Sequence, residues 1–270
     1  MEPFVIREPE ARALPVVASI PHAGTWLPPG YATRLASDAM RALPMTDWHL
    51  PRLFDFLPAL GVTVVAATVS RFVIDLNRPP HGEALYPGRF ETGLVPLESF
   101  DGDPVFSEPP SESDIAAARR DIYDPYHAAR CGLLERRRDE AGRVIQLDLH
   151  SVTPAANRIS GPLTHEIMLG DRDGASCARW LTREAEAAYA QAGFSVAVND
   201  PYKGGWITAS GGSLDGVEAL QIEMSWAAYM ETGREPAKAV DVPPFDMARE
   251  RLRRVFSALL PNAVRHLSSE

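Results

Sequence analysis

Two histidines and an aspartate stand at the ends of apolar runs of this chain, with a second aspartate near a helix start and a glutamate inside an apolar strand, and these are residue types that hold a divalent ion or move a proton. His22 follows PVVASI within SIPHAG (19–24). The stretch GRVIQLDLHS (142–151) reads as a buried strand and then delivers Asp148 and His150, and TDWH (46–49) carries Asp47. Each has a structural alternative: a lone loop histidine, Asp148 and His150 capping the turn that follows, and Thr46 or Asp47 capping a helix through LPRLFDFL. As a set, two histidines after separate strands and a carboxylate near a helix start form a ligand triad that leaves a fourth position for water on zinc. The spacing is not that of HExxH, which is absent.

Further chemistry gathers in two other places. SRFVIDLNR (70–78) sets the donors Arg71, Asn77 and Arg78 beside one acid, Asp75, and guanidinium groups so close together call for an anion such as a substrate carboxylate. Ordinary ion pairing with Asp75 is the alternative. LQIEMSW places Glu223 in an apolar strand, where desolvation raises a carboxyl pKa toward the range of a general base; a structural salt bridge is the other reading.

Several chemistries are excluded or weak. NDPYKGGWIT (199–208) and SGGSLDG (210–216) are glycine-rich but lack the Walker and GxGxxG patterns, so they are expected to form a flexible lip on the pocket, with Lys203 as a further anion contact. Ser151 and Ser225 sit in no GxSxG elbow. Cys131 and Cys177, both in helical-looking segments, exclude a disulfide framework and read as small core residues.

The elements that must position these groups follow from periodicity. PVVASI (15–20), GVTVVAATV (61–69), RVIQLDL (143–149), HEIMLG (165–170), FSVAVN (194–199) and VEALQIEM (217–224) read as strands, several apolar on both faces. Helices are expected at about 46–58, 112–140 (opening at Ser111 with Asp114 three residues on), 174–192 and 244–259. The alternation predicts one α/β domain over residues 1–270, three α/β/α layers around a mostly parallel mixed sheet, with polar groups at the strands' carboxyl ends. Residues 79–110, rich in Pro and Gly, are expected to form an ordered excursion over the active-site face.

With 270 residues, 45% hydrophobic content and a net charge of −9, the chain has no basic surface for nucleic acid; the ERRR run at 135–138 reads as a solvated helix end. Neither a signal peptide nor a membrane span is legible, so a cytoplasmic location is expected, and oligomeric state is not encoded legibly.

The blocks SIPHAGTWLP, TDWHLPRLFDF, SRFVIDLNRPP with LYPGR, LDLHS, LGDRDGASC, NDPYKGGWIT and ALQIEMSWAAYM, from about residue 17 to about 232, resemble the N-formylglutamate amidohydrolase family. That family is distantly similar to aspartoacylase and the zinc carboxypeptidases, which implies a phosphorylase/hydrolase-like fold. The resemblance implies zinc, or another divalent metal, on His22 and His150. Thr25 stands where the relatives' HxxE pattern has its glutamate, so the carboxylate ligand is assigned to Asp47.

By the same resemblance Glu223 is the general base and Arg71 polarises the scissile carbonyl. Asn77 and Arg78 hold one substrate carboxylate, and Lys203 or Arg89 meets the other. The implied reaction is hydrolysis of N-formyl-L-glutamate to formate and L-glutamate, a step of histidine breakdown. Deacylation of another N-acyl amino acid, or non-catalytic carboxylate binding, are the alternatives.

Overall fold

The computed structural model describes residues 1–86, 88, 90–231, 235–240 and 242–269. Its strands are β1 (Phe4–Arg7), β2 (Val16–Ile20), β3 (Thr63–Ala67), β4 (Val144–Val152), β5 (Ile167–Gly170), β6 (Val196–Val198) and β7 (Val217–Ser225). They form one seven-stranded sheet in the order β1-β3-β2-β4-β7-β5-β6. The pairs β3/β2, β2/β4, β4/β7 and β5/β6 are parallel, while β1/β3 and β5/β7 are antiparallel. The sheet is thus mixed and mostly parallel, as expected. The edge strand β1 is not legible beforehand, because Val5 and Ile6 remain exposed on it and the run is short.

The helices are α1 (Tyr31–Arg34), α2 (Asp38–Arg41), α3 (Leu50–Leu53), α4 (Glu112–Ala118), α5 (Asp124–Ala141), α6 (Arg179–Gln191), α7 (Trp206–Gly212) and α8 (Pro243–Ser269). Alternation along the central strands decides how they are used, since successive side chains leave a strand on opposite faces. On β4 the residues Ile145, Leu147 and Leu149, and on β7 Leu220, Ile222 and Met224, enter one apolar core with α3, α6 and α8. The opposite face begins apolar at Val144 and Val217, against α5 and Ile207 of α7. It then turns polar toward the carboxyl ends, with Gln146, Asp148 and His150 on β4 and Gln221 and Glu223 on β7, all buried. Helices on both faces give the expected three layers.

Several boundaries differ from expectation for local reasons. The helix expected over 46–58 shrinks to Leu50–Leu53: His49 adopts a left-handed φ of 63°, Pro51 opens the helix, and a separate 3₁₀ turn starts at Pro58. Its start has no side-chain cap from Thr46 or Asp47, so the capping alternative for Asp47 falls away. The helix expected from 174 begins at Arg179, which leaves Cys177 in the turn before it. α8 runs through Pro261, beyond the expected stop at 259, because Leu259, Leu260, Ala263 and Leu267 continue its buried stripe. The segment 112–141 does open on the Ser111/Asp114 capping box, and a π turn (Arg119–Tyr123) separates α4 from α5. Among the described residues no helix is long and apolar enough to cross a membrane.

Candidate metal and substrate site

Backbone contacts bring the histidines and Asp47 together. After β2 the chain passes so close to β3 that a Cβ on Gly24 would lie 2.2 Å from Val69 O, and Trp26 pairs with Val69. The Asp47 N–H donates to His22 O at 3.0 Å, fixing TDWH against this turn. The Tyr229 hydroxyl joins Trp48 O (3.0 Å) and the Ser151 hydroxyl (2.8 Å), which ties the same segment to the end of β4. Ser151 is thereby occupied in packing.

Asp47 Oδ2 lies 3.0 Å from His150 Nδ1 and 3.7 Å from His22 Nδ1, all three residues are buried, and their ligand atoms lie within 4.8 Å of one another. The far nitrogens are engaged elsewhere: His22 Nε2 donates to Asp75 Oδ1 at 2.7 Å, and His150 Nε2 lies 3.1 Å from Asp148 Oδ1. Asp75 behind His22 is the outer support usual for a metal-binding histidine, while His150 Nε2 has the Asn77 amide as its hydrogen-bond partner and Asp148 Oδ1 nearby without a bond; both Nδ1 atoms are turned to Asp47. Two nitrogens and one carboxylate oxygen at these separations suit an ion with bonds of about 2.0–2.2 Å, and the donor types suit zinc. The cluster could hold a metal. His150 does not follow β4 but stands inside it, so it caps no turn.

The electrostatics of this floor follow from burial and pairing. Burial works against the charge of Asp75, but Arg71, then His22 and Arg78, hold its carboxyl well below the usual range. Arg71 Nη2 donates to Asp75 Oδ2 at 2.6 Å, while its buried Nε has no partner among the described residues. Burial and Arg71 push His22 down, which favours a neutral imidazole. Burial, reinforced by Asp47 and Asp148 against the pull of His150 and Arg71, pushes the Glu223 carboxyl up to about 8.

Above the floor opens a cavity of about 320 Å³, lined by His22, Asp47, His150, Glu223, Arg71, Asn77, Arg78 and Lys203 among others. Glu223 faces it from β7, directly opposite His150 in the sheet register. Arg78, half-buried, donates among the described residues to neutral oxygens: Thr92 O (2.7 Å), Thr92 Oγ1 (2.9 Å) and Asn77 O (2.9 Å). Asn77 Oδ1 accepts the Ile207 N–H at 2.7 Å and its Nδ2 sits 3.1 Å from His150 Nε2, so this amide is largely engaged within the protein. Lys203 is gripped by both oxygens of Asp173 at 2.7 and 3.0 Å, so its charge is already matched. Arg89 lies outside the described residues.

Leu85, Tyr86, Phe90, Glu91 and Phe100 line the cavity, as expected of the 79–110 excursion. The segment after Asn199 lines it as Pro201–Gly205, but Trp206–Gly212 is helix, not loop. Sequence reasoning passed over Arg158, which stands at the mouth over the Phe90 ring (4.0 Å) and bonds Glu98 at 2.5 Å; its loop carries no periodic signal. Gln221 was also passed over, although its place two residues before Glu223 puts both on one strand face.

A buried imidazole–carboxylate cluster, a carboxyl of raised pKa and guanidinium donors, gathered at the carboxyl edge of an α/β sheet, define a site laid out for hydrolysis of a small anionic molecule. The chain belongs to the N-formylglutamate amidohydrolase family, whose sequence profile matches residues 14–230. It is 39% identical over 222 residues to the N-formylglutamate deformylase of Pseudomonas putida, a match covering 81% of this chain and 82% of that protein. Identity to the N-formylglutamate deformylase of Pseudomonas aeruginosa strain PAO1 is 36% over 251 residues, 92% of this chain and 93% of the relative. The crystal structure of N-formylglutamate amidohydrolase from Ralstonia eutropha JMP134 superposes with a TM-score of 0.80 at 29% identity, covering 99% and 98% of the two chains. A gene product of Agrobacterium tumefaciens, at 23% identity, TM-score 0.67 and 96% coverage of both chains, shares the fold.

Proposed function

We propose that this chain hydrolyses N-formyl-L-glutamate to formate and L-glutamate, with a divalent ion, zinc by its donor set, on His22, Asp47 and His150. The observation that carries the reading is the convergence of His22, Asp47 and His150 on one buried point, with Glu223 opposite His150 in the register. The relatives named for this activity support the substrate. Bound there, the ion would supply an activated water and polarise the formyl carbonyl.

Glu223 takes a proton as water adds to the formyl carbon. A carboxyl whose pKa is raised by burial is a stronger base once ionised and stays within the working pH range. Negative charge on the formyl oxygen is met by the Arg71 guanidinium, which lines the cavity and is held by Asp75. Glu223 then delivers its proton to the departing nitrogen as the C–N bond breaks, so the products are formate and the free amine of glutamate.

Arg78 holds one substrate carboxylate, because its guanidinium pairs with no carboxylate among the described residues and has donors to spare. Asn77 offers the second N–H of its amide to the same group. The other carboxylate is assigned, from the sequence alone, to Lys203 or Arg89, and Lys203 would have to part from Asp173 to take it.

The test is formate release by the zinc-loaded protein from N-formyl-L-glutamate, N-acetyl-L-glutamate, N-formyl-L-aspartate and N-formyl-L-glutamine. A clear preference for the first is expected. A preference for an acetyl compound would move the assignment to another N-acyl amino acid, and turnover of none would leave a carboxylate-binding protein.

A further inference from the structure

The buried amide of Gln221 has both ends committed. Its Oε1 accepts the Gly205 N–H at 2.8 Å, which fixes the amide's orientation, and its Nε2 therefore points at Glu223 Oε2, 3.2 Å away. The approach of the 203–205 backbone that makes this possible is built into two glycines. Gly170, which pairs with Gln221 across the sheet, could not carry a Cβ, because it would lie 2.6 Å from Lys203 C and 2.7 Å from Gly204 N. On Gly205 itself a Cβ would lie 2.3 Å from Asn77 Nδ2.

We propose that Gln221 is a positioning residue for Glu223: anchored by the Gly205 N–H, its amide holds Oε2 and leaves Oε1 to take and return the proton. This rests on the reading of Glu223 as the base. A buried amide must find partners somewhere, and satisfaction alone would explain the bond to Gly205. The second bond differs, since it restrains a carboxylate whose usefulness depends on its angle to the attacking water.

Gln221→Met removes the N–H directed at Glu223 without setting a second charge beside it. For Gln221→Met the proposal predicts kcat lowered about tenfold to a hundredfold, KM changed less than about twofold, and zinc content unchanged. Made on top of Glu223→Gln, the same change should cost less than about twofold, because the residue through which Gln221 acts is already gone.

Gln221→Met with wild-type kcat would overturn the proposal. Equal losses in the wild-type and Glu223→Gln backgrounds would assign Gln221 to the loop and do the same. A wild-type protein that releases no formate would sink the function and this proposal together, whereas an active wild type with an indifferent Gln221→Met sinks the proposal alone.

Discussion

Arg78 is half-buried and, among the described residues, bonds only neutral oxygens, with Asp75 and Glu91 acting on it without a direct bond, so its free N–H donors argue for a substrate anion. Arg78→Ala should therefore raise KM for N-formyl-L-glutamate at least about tenfold with a smaller change in kcat, as expected where ground and transition states use the same contact. Steady-state kinetics decide it, and a loss confined to kcat would place Arg78 in the chemistry instead. Glu223→Gln should lower kcat by about two to four orders of magnitude while zinc stays bound, checked by metal analysis beside turnover. That His22, Asp47, His150 and Glu223 would gather was legible because polar groups next to or within apolar runs are conspicuous in a sequence. Lys203 was less legible: nothing in KGGW announces that Asp173 will neutralise it.

At the scale of elements, α7 and the loop before it bind the site together, through Ile207 N–H on Asn77 and Gly205 N–H on Gln221. Gly205 has an ordinary φ of −87°, so its need is for space. Gly205→Ala should displace Asn77 and the loop, lowering both Tm and zinc affinity; thermal scans and a chelator competition would show it, and a variant equal to wild type in both would contradict the close approach.

The strands were read well because their apolar runs are long and bounded, and Ser111 with Asp114 marked the start of α4. Short α1 and α2 carry too few turns for a period to register. The stretch over 46–58 has helical spacing, but Pro51, Pro58 and the left-handed His49 break it into short turns. α7 escaped because Gly and Ser carry little helical signal, and its formation depends on Asn77 from another part of the chain.

At the scale of the molecule, burial sets the pH response. His127 donates from Nε2 to Leu76 O at 2.9 Å between Tyr123 and Tyr126, and burial, then Arg130, push its pKa down to about 3, with the Leu76 carbonyl and Asp148 opposing. Its folded pKa lies below the ordinary 6.5, so the unfolded chain binds the extra proton between those values. The stability is fully present above about pH 6.5 and is lost as pH falls toward 3. Between pH 7.5 and 5.5 this one group should cost about 1.4 kcal/mol of unfolding free energy, and His127→Gln should remove that slope in urea titrations. Equal slopes for both proteins would show that His127 is accessible to protons.

The central claim joins the His22–Asp47–His150 cluster to amide hydrolysis, and one measurement reaches both: formate released from N-formyl-L-glutamate by the purified protein before chelation, after it, and after zinc is restored. The account predicts release that vanishes with the chelator and returns with zinc. Release that persists undiminished in protein stripped of metal, or none in protein loaded with zinc, would contradict it.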